Sequence, residues 1–180
     1  MVRMRRILVY GVTGSGKSTL AARIGERLGL PYHSVDDLTW EPGWVAVPDE
    51  VQRERIAAVC ATEAWVIDSA YSIWKDIALG RVELVVGLDF PRWRSLGRLV
   101  RRTVRRIVLR TEICNGNRES VRNLLLSTDS IVFWHFKSFA RKRRRMRAWH
   151  ADPAMPPVVL LRSPAEVERW LSGAGREQSG

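Results

Sequence analysis

The chain has 180 residues and carries 30 lysines and arginines against 19 aspartates and glutamates, a net charge of +11. This length suits a single domain over residues 1–180, and no apolar run approaches the roughly 20 residues of a membrane-spanning helix, so we expect no membrane contact. Cys60 and Cys114 belong to no CxxC pair or Cys/His cluster, which argues against a zinc site and favours a reducing, cytoplasmic setting.

Short apolar runs rich in β-branched residues alternate with helical patterns along the chain. The apolar runs lie at residues 7–10, 31–35, 65–68, 83–90 and 157–162. Between them, stretches such as 18–30 and 49–63 repeat apolar residues at intervals of three and four, which predicts amphipathic helices. Near-continuous apolar strands separated by helices are typical of a parallel sheet covered on both faces, so the pattern predicts an α/β fold.

The first apolar run leads directly into GVTGSGKST, residues 11–19, which satisfies the pattern GxxxxGK[ST]. Backbone N–H groups of such a glycine loop form a phosphate cradle together with the N-terminus of the following helix. The residues predicted to bind nucleotide are Gly11, Thr13, Gly14, Ser15, Gly16, Lys17, Ser18 and Thr19. Lys17 is expected to neutralise the β- and γ-phosphates of a nucleoside triphosphate, most simply ATP, and the Ser18 hydroxyl to ligate Mg²⁺.

The Mg²⁺ site requires a carboxylate, usually an aspartate at the end of a neighbouring strand. Asp68 and Asp89 both end apolar runs and both qualify by position. From the residues alone, either could instead cap the helix that follows it.

Residues 91–110 predict a helix about 30 Å long. Its apolar stripe consists of Trp93, Leu96, Val100, Val104 and Ile107. We expect this stripe to pack against the protein while the arginines on the other faces meet anions. The region 91–150 has a net charge of +14, against −2 for residues 1–90 and −1 for residues 151–180. Such a basic block attracts the phosphates of a nucleotide, a nucleic acid or a membrane surface.

The basic run from Arg141 to Arg147 follows an aromatic patch at residues 133–136. Three interpretations stay open: contact with a nucleic acid, a solvated helix face, or a contribution to phosphate binding in an active site. The three histidines lack any metal or triad spacing and are interpreted as structural or solvated. Near the end of the chain, Ser163 and Glu166 predict a capping box, and the tail from about 173 to 180 is expected to be disordered.

Taken together with later motifs, the glycine loop resembles that of the adenylate kinase-like P-loop kinases, and the chain most closely resembles the topology modulation proteins. The motifs are GVTGSGKST, Asp36 leading into W40-E-P-G-W44, W65-V-I-D68 followed by Tyr71 and Ser72, and L88-D-F-P-R-W93. The resemblance implies a three-layer P-loop NTPase fold, with a five-stranded parallel sheet in the order 2-3-1-4-5 and an arginine-rich helical lid at about 91–150. It also favours Asp68 as the Mg²⁺ ligand.

Two features depart from the family pattern. Ser69 and Ala70 stand where the family usually has Gly-Asn, so an acceptor contact from asparagine is missing. The segment 103–150 is also richer in arginine than an ordinary lid.

In kinases of this class the tip of the second strand faces the phosphoryl acceptor. The resemblance places Asp36 there, where a carboxylate takes the proton of the acceptor hydroxyl or orients it. The alternative is an exposed turn in which Asp37 caps a helix. Trp40 and Trp44 either wall the acceptor pocket or are ordinary packing residues.

By resemblance, Arg98 and Arg102 lie on the lid helix whose arginines clamp the ATP phosphates, and Arg118 is the candidate for a third lid arginine. A solvated face is the alternative for each of them. The sequence therefore predicts an ATP-dependent, Mg²⁺-requiring cytoplasmic kinase with Lys17 and Asp36 in the catalytic site. Its acceptor is an unidentified nucleotide, nucleoside or other hydroxyl compound. The alternatives are an ATP-binding, DNA-associated regulator that uses region 91–150, and a plain ATPase.

Overall fold

The computed structural model describes residues 4–109, 112–113, 115, 117–118 and 131–174, with the backbone alone for residues 106–107, 112–113, 117–118 and 131–134. The strands are β1 (Arg6–Gly11), β2 (Tyr32–His33), β3 (Trp40–Glu41), β4 (Val45–Ala46), β5 (Trp65–Ile67), β6 (Leu84–Leu88), β7 (Glu112–Ile113), β8 (Asn117–Arg118) and β9 (Val158–Leu161). The helices are α1 (Lys17–Leu28), α2 (Val35–Thr39), α3 (Asp49–Ala61), α4 (Lys75–Leu79), α5 (Arg92–Val108), α6 (Ile131–Ala151) and α7 (Pro164–Ala174).

Five strands form one parallel sheet in the order β2-β5-β1-β6-β9. Counted along the chain within this sheet, the order is 2-3-1-4-5, as predicted. Four of these strands fall within predicted apolar runs, and β1 extends one residue beyond its run at each end. The central strand β1 is flanked on both sides, so its carboxyl end opens into the middle of one sheet edge, where the glycine loop begins.

Alternate residues of β1 enter two different cores. Ile7 and Val9 pack in a cluster with residues of α1 and α7, whereas Leu8 and Tyr10 pack on the other face with residues of α3, α4 and α6. Because side chains alternate across a strand, a continuous apolar run requires cover on both faces. The fold is therefore the predicted three-layer α/β arrangement.

Two short antiparallel hairpins, β3–β4 and β7–β8, were not predicted. Gly43 and Trp44 lie between the strands of the first with φ angles of 81° and 59°, and Asn115 in the second has a φ of 57°. A left-handed backbone is ordinary for glycine and tolerated by asparagine, but unfavourable for a bulky residue such as Trp44.

The expectation for the apolar stripe of α5 was wrong. Trp93 is 70% exposed and Val104 46% exposed, whereas Ser95, Leu99 and Thr103 are buried. The reason is that α5 lies directly on the glycine loop, where the Leu99 Cβ stands 2.7 Å from the position that a Cβ on Gly14 would take. The helix therefore buries the face that carries Ser95 and Leu99, which meets the loop.

The carboxyl end of the chain matches one expectation and corrects another. The Ser163 Oγ accepts a hydrogen bond from the Glu166 N–H at 3.2 Å, and the Glu166 carboxylate accepts from the Arg162 N–H at 2.8 Å. Helix α7 continues through Ala174, so the predicted disordered tail does not begin at 173. Residues 175–180 lie outside the described residues. No helix in the described ranges is long and apolar enough to cross a membrane.

Candidate active site

The glycine loop is held in a conformation that excludes side chains at two positions. Gly14 and Gly16 have φ angles of 80° and 95°. A Cβ on Gly14 would lie 2.4 Å from the Ser95 carbonyl oxygen, which belongs to the backbone and cannot move aside easily. Gly16 is the N-cap of α1, so the loop ends where the N-terminus of that helix presents its free N–H groups.

Lys17 lies at the mouth of the loop, where its Nζ donates a hydrogen bond to the Val12 carbonyl oxygen at 3.1 Å. Burial lowers the pKa of Lys17, the negative charges of Asp68 and Asp36 oppose this effect, and the Arg102 guanidinium adds to it. The ammonium group therefore lies among two carboxylates and a second cation, all of which the sequence predicts at the site.

Asp68 follows β5 and is only 3% exposed. Its Oδ1 accepts a hydrogen bond from the Val35 N–H at 2.9 Å. Burial raises the pKa of Asp68, while hydrogen bonds from Ser18 and Val35 and the charge of Lys17 oppose the rise. The Ser18 hydroxyl and the Asp68 carboxylate thus lie together, and two oxygen donors of this kind fit a Mg²⁺ ion that keeps its remaining positions for water and phosphate.

Asp89, the other candidate for the metal, has a different role. Its Oδ1 accepts from the Arg143 Nε at 2.5 Å and its Oδ2 from the Arg147 Nη2 at 2.8 Å. Both oxygens of this buried carboxylate therefore hold helix α6 against the sheet. The same pairing directs two arginines of the basic run 141–147 towards Asp89, just after β6.

Asp36 lies in the first turn of α2, one element beyond the predicted strand end. The Tyr71 hydroxyl donates a hydrogen bond to its Oδ1 at 3.0 Å. Burial, followed by the charge of Asp36, raises the pKa of Tyr71 well above its usual value, so the phenol stays a donor. Asp37 is not a helix cap, because the Ser34 Oγ takes that role by accepting from the Asp37 N–H at 3.4 Å.

The two predicted arginines of α5 both lie at the loop. The Arg98 Nη2 is 3.0 Å from the position that a Cβ on Gly16 would take. Arg102 lies close enough to Lys17 for its charge to lower the pKa of that lysine. The third predicted arginine, Arg118, is in strand β8, and its side chain lies outside the described part of the structure.

A cavity of about 90 Å³ lies beside the loop. Its walls include Gly16 and Thr19 of the loop, Arg98 of α5 and Pro164 at the start of α7. The guanidinium plane of Arg98 and the ring of Pro164 are both surfaces on which a flat ring can stack.

Helix α2 and the residue that follows it contact Asn115 of the β7–β8 hairpin. The Asn115 side-chain amide donates hydrogen bonds to the carbonyl oxygens of Asp37 and Trp40, at 3.0 and 2.7 Å. The rings of Trp40 and Trp44 stand edge to face with centroids 5.9 Å apart. Asn115 was not predicted, since a contact between residues so far apart in the chain leaves no local pattern.

Sequence reasoning also left out the position of His135, which is fully buried on α6. Its Nδ1 lies 3.0 Å from the Thr13 carbonyl oxygen and its Nε2 lies 3.4 Å from the Ser95 Oγ. Because a carbonyl oxygen only accepts, Nδ1 carries the proton. His135 therefore has a structural role, the first of the two readings offered for it, and joins α6 to the glycine loop and to α5. The helical spacing of His135, Phe139 and Met146 was the feature of the sequence that could have indicated the burial of His135.

The sequence matches no protein-family model and no curated protein. The fold matches solved structures over nearly the whole chain. A gluconokinase from Sinorhizobium meliloti 1021 is 18% identical, with 99% of this chain and 95% of that chain covered and a TM-score of 0.56. A shikimate kinase from Bacteroides thetaiotaomicron is 16% identical, with 98% and 99% covered and a TM-score of 0.54. A shikimate kinase from Acinetobacter baumannii, in complex with shikimate, is 15% identical, with 98% and 94% covered and a TM-score of 0.55. The chain thus has the fold of P-loop kinases.

Proposed function

We propose that this protein is an ATP-dependent kinase that transfers the γ-phosphoryl group to a hydroxyl of a small molecule. The observation that carries the proposal is the convergence on Lys17 of two carboxylates, Asp68 and Asp36, and of Arg102. Such a cluster supplies both a cation for the phosphates and a carboxylate for the acceptor. Fold alone does not specify an activity, so the proposal rests on this site.

In the proposed reaction the triphosphate lies in the glycine loop, with its base in the cavity between Arg98 and Pro164. Lys17 neutralises the β- and γ-phosphates, and Arg98 and Arg102 bind the charge that develops on the transferring group. Arg118 is proposed as a third lid arginine. Ser18 and Asp68 would hold Mg²⁺, which supplies further charge neutralisation to the phosphates.

Asp36 is proposed to face the acceptor. The acceptor oxygen attacks the γ-phosphorus as the bond to the β,γ-bridging oxygen breaks, ADP leaves, and the hydroxyl proton passes to Asp36. The hydrogen bond from Tyr71 holds the carboxylate in place for this step. Trp40 and Trp44 are proposed to wall the acceptor pocket.

The test is incubation with Mg²⁺ and ATP and a panel of hydroxyl compounds, followed by mass spectrometry of the products. The panel includes gluconate and shikimate, because enzymes for these compounds share the fold, together with nucleosides and nucleotides. A phosphorylated product that Lys17→Ala fails to form is the expected result. Phosphate release that no acceptor changes would instead indicate a plain ATPase.

The resemblance to topology modulation proteins keeps a DNA-associated role as a separate prediction. Arg143 and Arg147 form ion pairs with Asp89. Because of these ion pairs, fewer cations of the basic run 141–147 are available to bind a polyanion such as DNA. DNA affinity that falls steeply with salt concentration would support this role, since phosphate contacts release counterions. If electrophoretic mobility shifts show no DNA binding at low salt, the DNA-associated role is excluded.

A further inference from the structure

Helix α6 places one lysine on its inward face. His135, Phe139 and Met146 are all buried, and Lys142 shares their side of the helix, because residues three, four and seven apart lie along one face. Lys142 itself is half-buried. The other lysine of this helix, Lys137, is exposed.

The neighbours on that face fix where Lys142 lies. On one side, His135 contacts the Thr13 carbonyl oxygen in the glycine loop. On the other, the Met146 Sδ lies 2.6 Å from the position that a Cβ on Gly87 of β6 would take. Lys142 is between these contacts, at the carboxyl ends of the central strands where the triphosphate is proposed to bind.

The charged groups around Lys142 come from three elements. They are Lys17 of α1, Asp36 of α2, and Arg141, Arg145 and the imidazole of His135 on its own helix. Of the groups outside α6, Lys17 has the largest influence on Lys142 and Asp36 the next. Lys142 therefore lies near enough to Lys17, the proposed phosphate ligand, and to Asp36, the proposed acceptor carboxylate, for their charges to act on it.

We propose that Lys142 is a further phosphate-binding residue, which contacts the terminal phosphate of ATP from helix α6. The inference rests on the proposed function, since it assigns an additional ligand to the same triphosphate. In this proposal, Lys142 is the member of the basic run 141–147 that lies in the active site.

The proposal predicts that nucleotide binding is accompanied by a measurable uptake of protons. Burial, reinforced by the charge of Lys17, lowers the pKa of Lys142 to about 7. A phosphate beside the amine favours its charged form and raises that pKa. At pH 8 the empty site therefore holds mostly neutral lysine, and binding of a triphosphate takes up close to one proton from the buffer.

The experiment is isothermal titration calorimetry at pH 8 with Mg²⁺, in several buffers of different ionisation enthalpy. The probes are a non-hydrolysable ATP analogue and ADP. We expect more proton uptake for the analogue than for ADP in the wild type. This difference should vanish in Lys142→Arg, whose charge is permanent, and in Lys142→Met.

Affinities provide the second measurement. Lys142→Met should lose about ten- to a hundredfold in affinity for the ATP analogue, as expected for one charge-assisted hydrogen bond, and little for ADP. Lys142→Arg should retain most of the affinity, and Lys137→Met should behave as the wild type. Equal proton counts in the wild type and Lys142→Arg would overturn the role of Lys142 while leaving the proposed function intact. Absence of heat with either nucleotide would overturn the proposed function itself.

Discussion

The Nδ1 of His135 in α6 lies 3.0 Å from the carbonyl oxygen of Thr13 in the glycine loop. The same ring faces the Ser95 hydroxyl of α5. One buried imidazole thus joins three parts of the site that are distant in the sequence. The shape of the loop depends on this contact as well as on its glycines.

His135 should make stability depend on pH. Burial lowers the pKa of His135, so the folded state favours the neutral ring and binds fewer protons than the unfolded state. The stabilisation is complete above the ordinary histidine pKa of about 6.5 and is lost as pH falls through the lower folded-state pKa, by up to about 1.4 kcal/mol per pH unit. Urea unfolding of the wild type and His135→Asn should give free energies whose difference is constant above about pH 6.5 and changes as pH falls from there towards the folded-state pKa. Parallel curves at all pH values would contradict this.

Gly14→Ala should destabilise the protein by about 1–3 kcal/mol and remove nucleotide binding. The φ angle is left-handed, and the new methyl would meet the Ser95 carbonyl oxygen at 2.4 Å. Urea unfolding and calorimetry with ATP measure the two effects. The control is Gly97→Ala in α5, where a Cβ would meet nothing within 4 Å. Alanine there should stabilise the helix by about 0.5–1 kcal/mol.

Asp36→Asn should slow phosphoryl transfer by about 10²–10⁴-fold, because the amide cannot take the hydroxyl proton. Affinity for ATP should stay within about twofold of the wild type, since the change adds no bulk at the glycine loop. Steady-state kinetics with the acceptor found in the panel and calorimetry with ATP separate these effects. Asp37→Asn is the matched control, because it makes the same change at the adjacent and equally exposed class of position, whereas the Tyr71 hydroxyl and the charge effect on Lys17 involve Asp36. Equal rates for the two variants would remove Asp36 from the acceptor site.

Arg102→Ala should reduce turnover by about 10³-fold while ATP binding persists, because a guanidinium is most valuable for the charge of the transition state. The neighbouring Arg101 is exposed and serves as the control. Turnover in Arg101→Ala should stay close to that of the wild type. If both variants lose activity equally, the effect is one of total charge on α5 and Arg102 has no specific role.

The sheet and the glycine loop could be predicted from the sequence because each depends on local residues. A strand buried on both faces must be apolar throughout, as Leu84–Leu88 is. The loop must place glycine at the two positions with left-handed backbone. The order of the strands was implied by the resemblance to P-loop kinases, and the observed sheet has that order.

The remaining features depend on contacts between distant residues. Asp68 and Asp89 look alike in the sequence, and only the arginines of α6, more than 50 residues after Asp89, distinguish them. The buried face of α5 was misjudged because contact with the glycine loop at Ser95 and Leu99 decides it, whereas a hydrophobic pattern points to Trp93. In the sequence, Lys142 is one member of a basic run without any distinguishing feature. The structure places it on the inward face of α6.

Asn115 uses both hydrogens of its side-chain amide on one short stretch of backbone, at Asp37 and Trp40. Any molecule that enters between the β7–β8 hairpin and α2 must first separate this pair of bonds. Opening this part of the structure therefore breaks two hydrogen bonds at once.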